Sequence, residues 1–291
     1  MIDLGGCGSG APALGQDAGE DTMRDASLSR RVLLGLFAAG LALGTGAVTP
    51  AEATGQALKI AVEGEYPPFN QVDKRGTFSG FDIDIANAVC KQLNASCKFV
   101  QQPWARMIDG LIAGDYDLVV SSLSITNARR QRIDFSEAYY TTPAKFVAKK
   151  NMALSATLDG LKGRKVAVQK ATTHERYLAS RLGSGVEIVR YDTLPAATAD
   201  LEKGKVDVVF ADGLALAQGF LKTQKGQPFA FVGPALVIGN GIGIGVRKGQ
   251  PDLVADLNRA LSAIRADGSY AEIGNKYFPF DLSSPAALAM Q

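Results

Sequence analysis

The chain has 291 residues, 46% of them hydrophobic, with 31 basic against 29 acidic side chains. That composition supports a sizeable core, in one large domain or two linked ones, and excludes a disordered chain. A formal charge of +2 without a long Lys/Arg run argues against a nucleic-acid track, so partners must be read from sites.

Residues 1–53 read as an N-terminal extension and export signal. Ser29-Arg30-Arg31 is followed by an apolar stretch from Val32 to Val48, and Thr49-Pro50-Ala51-Glu52-Ala53 offers an A-x-A cleavage pattern. The apolar stretch, interrupted by glycine, is shorter than the roughly 20 residues that span hydrocarbon. Cleavage is expected near Ala53, with the mature chain in the periplasm. The paired arginines fit the twin-arginine route, while Leu33 and Gly35 leave Sec export open. Met23 is an alternative start. Cys7 lacks the preceding apolar segment that lipid attachment needs.

From Leu58 onward, short β-branched runs alternate with helical patterns, which predicts an α/β fold with largely parallel sheets. Strands are expected at Lys59–Val62, Lys98–Gln101, Leu118–Ser121, Lys145–Lys149, Lys165–Val168, Val186–Val189, Val206–Phe210, Phe229–Val232 and Ile242–Val246. Helices are expected near Phe81–Leu93, Ala105–Ala113, His174–Arg181, Ala196–Lys203, Leu214–Lys222 and Pro251–Arg265. Cys90 and Cys97 fall at a helix end and the next strand start, a separation that a chain reversal closes to disulfide distance. They read as an oxidised pair, with two buried free thiols as the alternative. His174 is the only histidine and no third ligand cluster exists, so neither a metal site nor a cofactor is expected.

One internal echo adds architecture. Leu111-Ile112-Ala113-Gly114-Asp115-Tyr116-Asp117-Leu118-Val119-Val120 recurs as Leu201-Glu202-Lys203-Gly204-Lys205-Val206-Asp207-Val208-Val209-Phe210. Each copy reads as a helix end, a glycine stop and a buried strand. After each strand the chain turns polar, at Ser121-Ser122 and at Asp212. Ligands in open α/β sheets sit beyond the carboxyl ends of strands, so two similar lobes facing one cleft are the economical arrangement. The segment Ser121-Ser122-Leu123-Ser124-Ile125-Thr126-Asn127-Ala128-Arg129 offers hydroxyls, a helix start and a guanidinium, a set that suits a carboxylate. On spacing alone, a capped surface helix with a solvated Arg129 is an equal reading.

Collinear motifs then point to a family. Glu63-Gly64-Glu65-Tyr66-Pro67-Pro68-Phe69, Gly80-Phe81-Asp82-Ile83-Asp84, Ser121 to Thr126 with Arg129, Asp134-Phe135-Ser136 with Tyr139-Tyr140, Ala171-Thr172-Thr173 and Gly268-Ser269-Tyr270 stand in order over about 58–282. Together they closely resemble the polar amino acid-binding proteins of ABC importers, solute-binding protein family 3. Within it, the chain looks most like the lysine/arginine/ornithine- and histidine-binding branch, which the Cys90–Cys97 spacing also resembles.

The resemblance implies a two-lobed periplasmic binding protein fold (type II), monomeric, that holds a cationic amino acid and delivers it to a membrane permease. It implies that Arg129 grips the ligand carboxylate, with Ser124, Thr172 and Thr173 as further donors. Asp212 takes the ammonium, aided by acceptors near Ser122, while Tyr66 and Trp104 line the side-chain slot. Glu63 and Asp82 meet the cationic tip, and Ser121 touches its rim. It further implies lobe 1 from 58–140 plus 242–282, lobe 2 from 144–238, hinges at 141–143 and 239–241, and a tail at 283–291.

Some residues depart from the family's pattern. Glu63 is a methylene longer than the usual Asp, Trp104 is bulkier than the usual Phe, Lys170 looks inserted, and His174 stands where an amide is common. Two alternatives follow: a binder of opines, or a dehydratase of the arogenate/prephenate type with Glu175 as general acid.

Overall fold

The computed structural model describes residues 57–152, 158–181 and 185–282. The expected export signal and the 283–291 tail lie outside the described residues.

Two five-stranded sheets and one small sheet organise the chain. The first large sheet is built from β1 (Ala57–Val62), β5 (Ser96–Gln101), β6 (Leu118–Val119), β7 (Asp134–Phe135) and β13 (Gly245–Val246), in the order β5-β1-β6-β13-β7. The second uses β8 (Ala144–Lys149), β9 (Lys165–Gln169), β10 (Glu187–Tyr191), β11 (Val208–Asp212) and β12 (Phe229–Leu236), in the order β10-β9-β11-β8-β12. Between β1 and β5 lies a three-stranded sheet of β2 (Glu65–Tyr66), β3 (Asn70–Val72) and β4 (Phe78–Ser79). The chain passes from the first large sheet to the second between Phe135 and Ala144, and returns between Leu236 and Gly245.

The sheets are mixed, which corrects the expectation of largely parallel ones. Strands joined by a helical crossover are parallel: β1 with β5 and β6, and β9 with β10 and β11. Strands at the crossing segments pair antiparallel: β13 with β6 and β7, and β8 with β11 and β12. A βαβ connection imposes parallel pairing, whereas a strand arriving from another sheet is under no such constraint.

The internal echo has a structural counterpart. Its first copy is α2 (Met107–Ala113), the left-handed Gly114 and β6; its second is α6 (Leu194–Glu202), the left-handed Gly204 and β11. Both strands lie third in their sheets. Asp117 accepts a hydrogen bond from Lys59 N at 2.9 Å, and Asp207 accepts one from Lys165 N at 2.9 Å. In each copy the aspartate satisfies the amide of a residue in the neighbouring strand, β1 or β9.

Helix α1 (Phe81–Gln92) buries Phe81, Ile83, Ile85, Ala86 and Val89 against the first sheet and against α8 (Pro251–Ala266) and α9 (Ser269–Tyr277). A Cys90–Cys97 disulfide ties its last turn to the start of β5, with Cα atoms 6.0 Å apart. Several expected elements differ. The helix expected at Ala105–Ala113 opens with a 3₁₀ turn at Trp104–Arg106. The one at Leu214–Lys222 is α7 (Gly213–Leu216) followed by a π turn at Ala217–Leu221. Ile242 makes isolated bridges to Ser124 and Tyr140, and only Gly245–Val246 is strand. The small sheet escaped the sequence pattern because strands of two or three residues are too short to show alternation.

Gly80 precedes α1 at φ 123°, a region essentially reserved for glycine. A Cβ there would stand 2.4 Å from Phe69 O. Gly76 also has a left-handed φ, but open space around it. Gly80→Ala is therefore expected to lower unfolding stability by more than ~2 kcal/mol, and Gly76→Ala by about 1 kcal/mol, measured by urea denaturation. Equal losses would show that crowding at Phe69 is unimportant.

Candidate ligand-binding site

Four strand ends converge. β1 ends before Glu63, β6 before Ser121 and Ser122, β9 at Gln169 ahead of Thr172 and Thr173, and β11 at Asp212. Two adjoining cavities lie there. The first, of about 290 Å³, is lined by Glu63, Tyr66, Trp104, Ser121, Ser122, Ser124, Gln169, Thr172, Thr173 and His174. The second, of about 400 Å³, shares Tyr66, Ser122, Ser124, Thr173 and His174 and adds Thr141, Thr142, Asp212 and Ile242 among others. Neither is lined by a lysine or an arginine.

Of the residues nominated from sequence, all but Asp82 and Arg129 line these cavities. Asp82 is fully buried and lines neither cavity. It lies in the first turn of α1 with its carboxylate turned inward. Oδ2 accepts from Ser122 N at 2.8 Å, Ser122 Oγ at 3.2 Å and Asn70 Nδ2 at 3.1 Å. Oδ1 accepts from Tyr139 OH at 2.6 Å and Tyr140 OH at 3.3 Å. Burial raises this carboxyl to about 6, opposed by the donors from Tyr139, Asn70 and Ser122.

Arg129 sits in α3 (Asn127–Arg130), capped by the Thr126 hydroxyl. Its side chain is buried one layer behind Ser124. Nη1 donates to Ser124 O at 2.8 Å, Nη2 donates to Ala171 O at 3.3 Å, and the guanidinium lies 5.3 Å from the Trp104 ring centroid. It faces a further cavity with Trp104, Arg132 and Arg176. Burial, then the nearby Arg176, lowers its pKa to about 10, so it stays charged.

Glu63 is 5% exposed. Its Oε1 accepts from Gln169 Nε2, a contact that joins the end of β1 to the end of β9. Burial raises its pKa to about 7, opposed by the Gln169 bond, with Glu65 adding a smaller rise. Asp212 caps α7, its Oδ1 accepting from Leu214 N and Ala215 N at 2.9 Å each, while Thr142 donates to Oδ2. Burial brings it to about 6 against those hydrogen bonds. His174 is half-buried, edge-on to Phe210, and lowered to about 4 by burial and then Arg129, so it is neutral at pH 7.

Two non-glycine residues at the site hold left-handed backbone, Ser122 at φ 48° and Ala171 at φ 60°. Both are fixed by polar contacts. Ser122 N is taken by Asp82, and Ala171 N donates to Glu175 at 2.7 Å. The Ala171 carbonyl receives Trp104 Nε1 at 3.2 Å as well as Arg129. These bonds, Gln169 to Glu63 and a 3.4 Å contact between Ser124 Oγ and Thr173 Oγ1 close the segments of the first sheet onto those of the second.

Sequence reasoning missed Gln169, Thr141 and Thr142 and left His174 open. Gln169 was findable: it is the polar residue directly after an expected strand, at the carboxyl end where ligands bind.

Residues 58–280 match the family described as bacterial extracellular solute-binding proteins, family 3. The chain belongs to that family. It is 41% identical over 238 residues to an L-arginine-binding protein of Pseudomonas aeruginosa, covering 80% of this chain and 92% of that protein. It is 37% identical over 232 residues to the lysine/arginine/ornithine-binding periplasmic protein of Escherichia coli, covering 78% and 89%. Among solved structures, an ancestral arginine-binding protein bound to arginine superposes with a TM-score of 0.72 at 32% identity, covering 77% of this chain and 99% of that one. The family 3 chain thus has the two-lobed α/β fold of its solved relatives.

The raised Glu63 carboxyl sets a sign for stability. A folded-state value lifted from 4.5 to about 7 leaves the charged form disfavoured. The resulting destabilisation is absent below the unfolded value, grows between the two, and is complete above about 7. Glu63→Gln is expected to stabilise the ligand-free protein by about 3 kcal/mol at pH 8 and by less than about 1 kcal/mol at pH 5. Thermal melts at both pH values check this, and a larger gain in acid contradicts it.

Proposed function

We propose that this chain is the periplasmic solute-binding component of an amino acid ABC importer. It captures a basic amino acid, namely arginine, lysine, ornithine or histidine, by closing its lobes, and delivers it to the membrane permease. The observation that carries the reading is the pair of adjoining cavities. Tyr66 and Trp104 are among their walls, Glu63 lines one and Asp212 the other, and among the described residues no lysine or arginine lines either. Two carboxylates in an enclosed site favour a ligand carrying two positive groups, and an aromatic wall adds about 0.5–2 kcal/mol of cation–π attraction.

In this reading Asp212 receives the α-ammonium and Glu63 the side-chain cation. The ligand carboxylate lies at the Ser124–Thr173 gap, with Arg129 behind Ser124. Of Arg129's two bonds, the longer one to Ala171 O is the one that yields to the carboxylate. The lobes are 58–140 plus 242–282 and 144–238, and they move about 141–143 and 239–241. The left-handed Gly239 and Gly241 support motion at the second crossing, because glycine absorbs large changes in φ and ψ. Residues 1–53 act as the cleaved export signal, and the mature chain works as a monomer.

Binding without turnover is favoured over dehydration. Glu175, the candidate general acid, accepts from Ala171 N and pairs with Arg190, and it lines neither adjoining cavity.

A thermal-shift screen of the mature chain tests this. A ligand at 100 times its dissociation constant adds about 2.7 kcal/mol, so the basic amino acids are expected to raise the melting temperature and glutamine and glutamate are not. A shift with glutamine or glutamate alone sinks the reading. Arg129→Ala is expected to weaken arginine binding at least ~30-fold, given roughly 1.5–3 kcal/mol for each charge-assisted hydrogen bond lost. Calorimetry measures this, and unchanged affinity removes Arg129 from the carboxylate end.

A further inference from the structure

Gln169 is 3% exposed at the end of β9 and lines the first cavity beside Glu63. Its Nε2 carries two hydrogens, and both are committed. One is donated to Glu63 Oε1 and the other to Asp192 O at 3.0 Å. Flipping the amide would set its oxygen against a carboxylate and a carbonyl, three acceptors with no donor between them, so the orientation is determined by chemistry. The amide oxygen, with no hydrogen of its own, can only accept. Gln169 Oε1 and Glu63 Oε2 therefore remain as acceptors that take no protein donor among the described residues. The backbone beneath is fixed too, since Thr172 Oγ1 donates to Gln169 O at 2.7 Å.

A lone carboxylate serves a primary ammonium well, because three rotatable donors on a compact charge need no fixed plane. A guanidinium presents five N–H groups in a rigid planar fork and is satisfied only where acceptors meet more than one of its edges. We propose that Gln169 is a specificity-determining residue that, with Glu63, forms a two-acceptor end wall selecting guanidinium-bearing ligands over ligands ending in a primary ammonium. This rests on the reading that the cavity takes a basic amino acid. The Gln169 donor on Glu63 also orients the carboxylate, so the residue both places one acceptor and supplies the other.

Calorimetric titration with L-arginine and L-lysine tests it on the wild type, Gln169→Leu and Gln169→Met, the last keeping an unbranched side chain of similar length. The wild type is expected to bind arginine at least 10-fold more tightly than lysine. Both variants are expected to lose at least 10-fold in arginine affinity and no more than about 3-fold in lysine affinity, so the ratio collapses. Equal losses for both ligands would show a merely structural role and overturn the proposal. A wild type preferring lysine overturns it as well. If the wild type binds neither ligand, the basic amino acid reading fails first and takes this inference with it.

Discussion

The Asp82 carboxylate is the contact on which the site's geometry depends. A buried charge persists only where donors replace the water it lost, and here Asn70, Ser122, Tyr139 and Tyr140 supply them. Those donors come from three separate segments: the start of β3, the loop after β6 and the stretch leading out of the first sheet. Asn70 carries the network further, because its Oδ1 accepts from Gly64 N at 3.0 Å, next to Glu63. One carboxylate thus registers both strand-end loops of the first sheet. It also holds Ser122 in a left-handed conformation that costs on the order of 1 kcal/mol or more without such support.

The second sheet meets this frame through few but directional contacts. The Ala171 carbonyl takes donors from both Trp104 and Arg129, and Gln169 reaches Glu63. Hydrogen bonds across a cleft are worth roughly 0.5–1.5 kcal/mol net each. That is enough to favour contact without making it permanent. Trp104 is informative here, because a phenylalanine at the same place would preserve the aromatic wall but not the indole N–H. Charge is segregated with the same economy. Carboxylates face the cavities, and the one arginine buried among the described residues stands a layer behind, against main-chain oxygens that leave its charge uncancelled.

Much of this was legible in the residues. Gly114 and Gly204 mark helix stops before buried strands, and the polar residues after those strands, Ser121, Ser122 and Asp212, line the cavities. These signals are local, set by backbone conformation and strand burial. The partners of Asp82 were not legible, because an acidic residue in the first turn of a helix reads as solvated or ligand-facing, while its inward rotation depends on Tyr139 and Tyr140, some 57 and 58 residues away. The partner of Gln169 is hidden for a similar reason: its place at a strand end can be read, but nothing near it in sequence foretells Glu63, which is 106 positions distant. Mixed pairing was illegible too, since β8 and β13 owe their direction to where the chain enters each sheet.

Glu63 joins these themes. A carboxyl group raised to about 7 is close to half-protonated at neutral pH in its buried place beside Gln169. The site therefore avoids holding a full charge away from water. Under the proposed binding of a basic amino acid, an arriving cation reverses the balance, because an opposite charge within a few ångströms favours the ionised carboxylate, and the proton leaves. In that proposal the group that tolerates burial when neutral is the one that rewards contact with a cation. A shorter aspartate on the same backbone would reach less far toward Gln169. Both the proton balance and the acceptor pair thus trace to the extra methylene of this side chain and the amide opposite it.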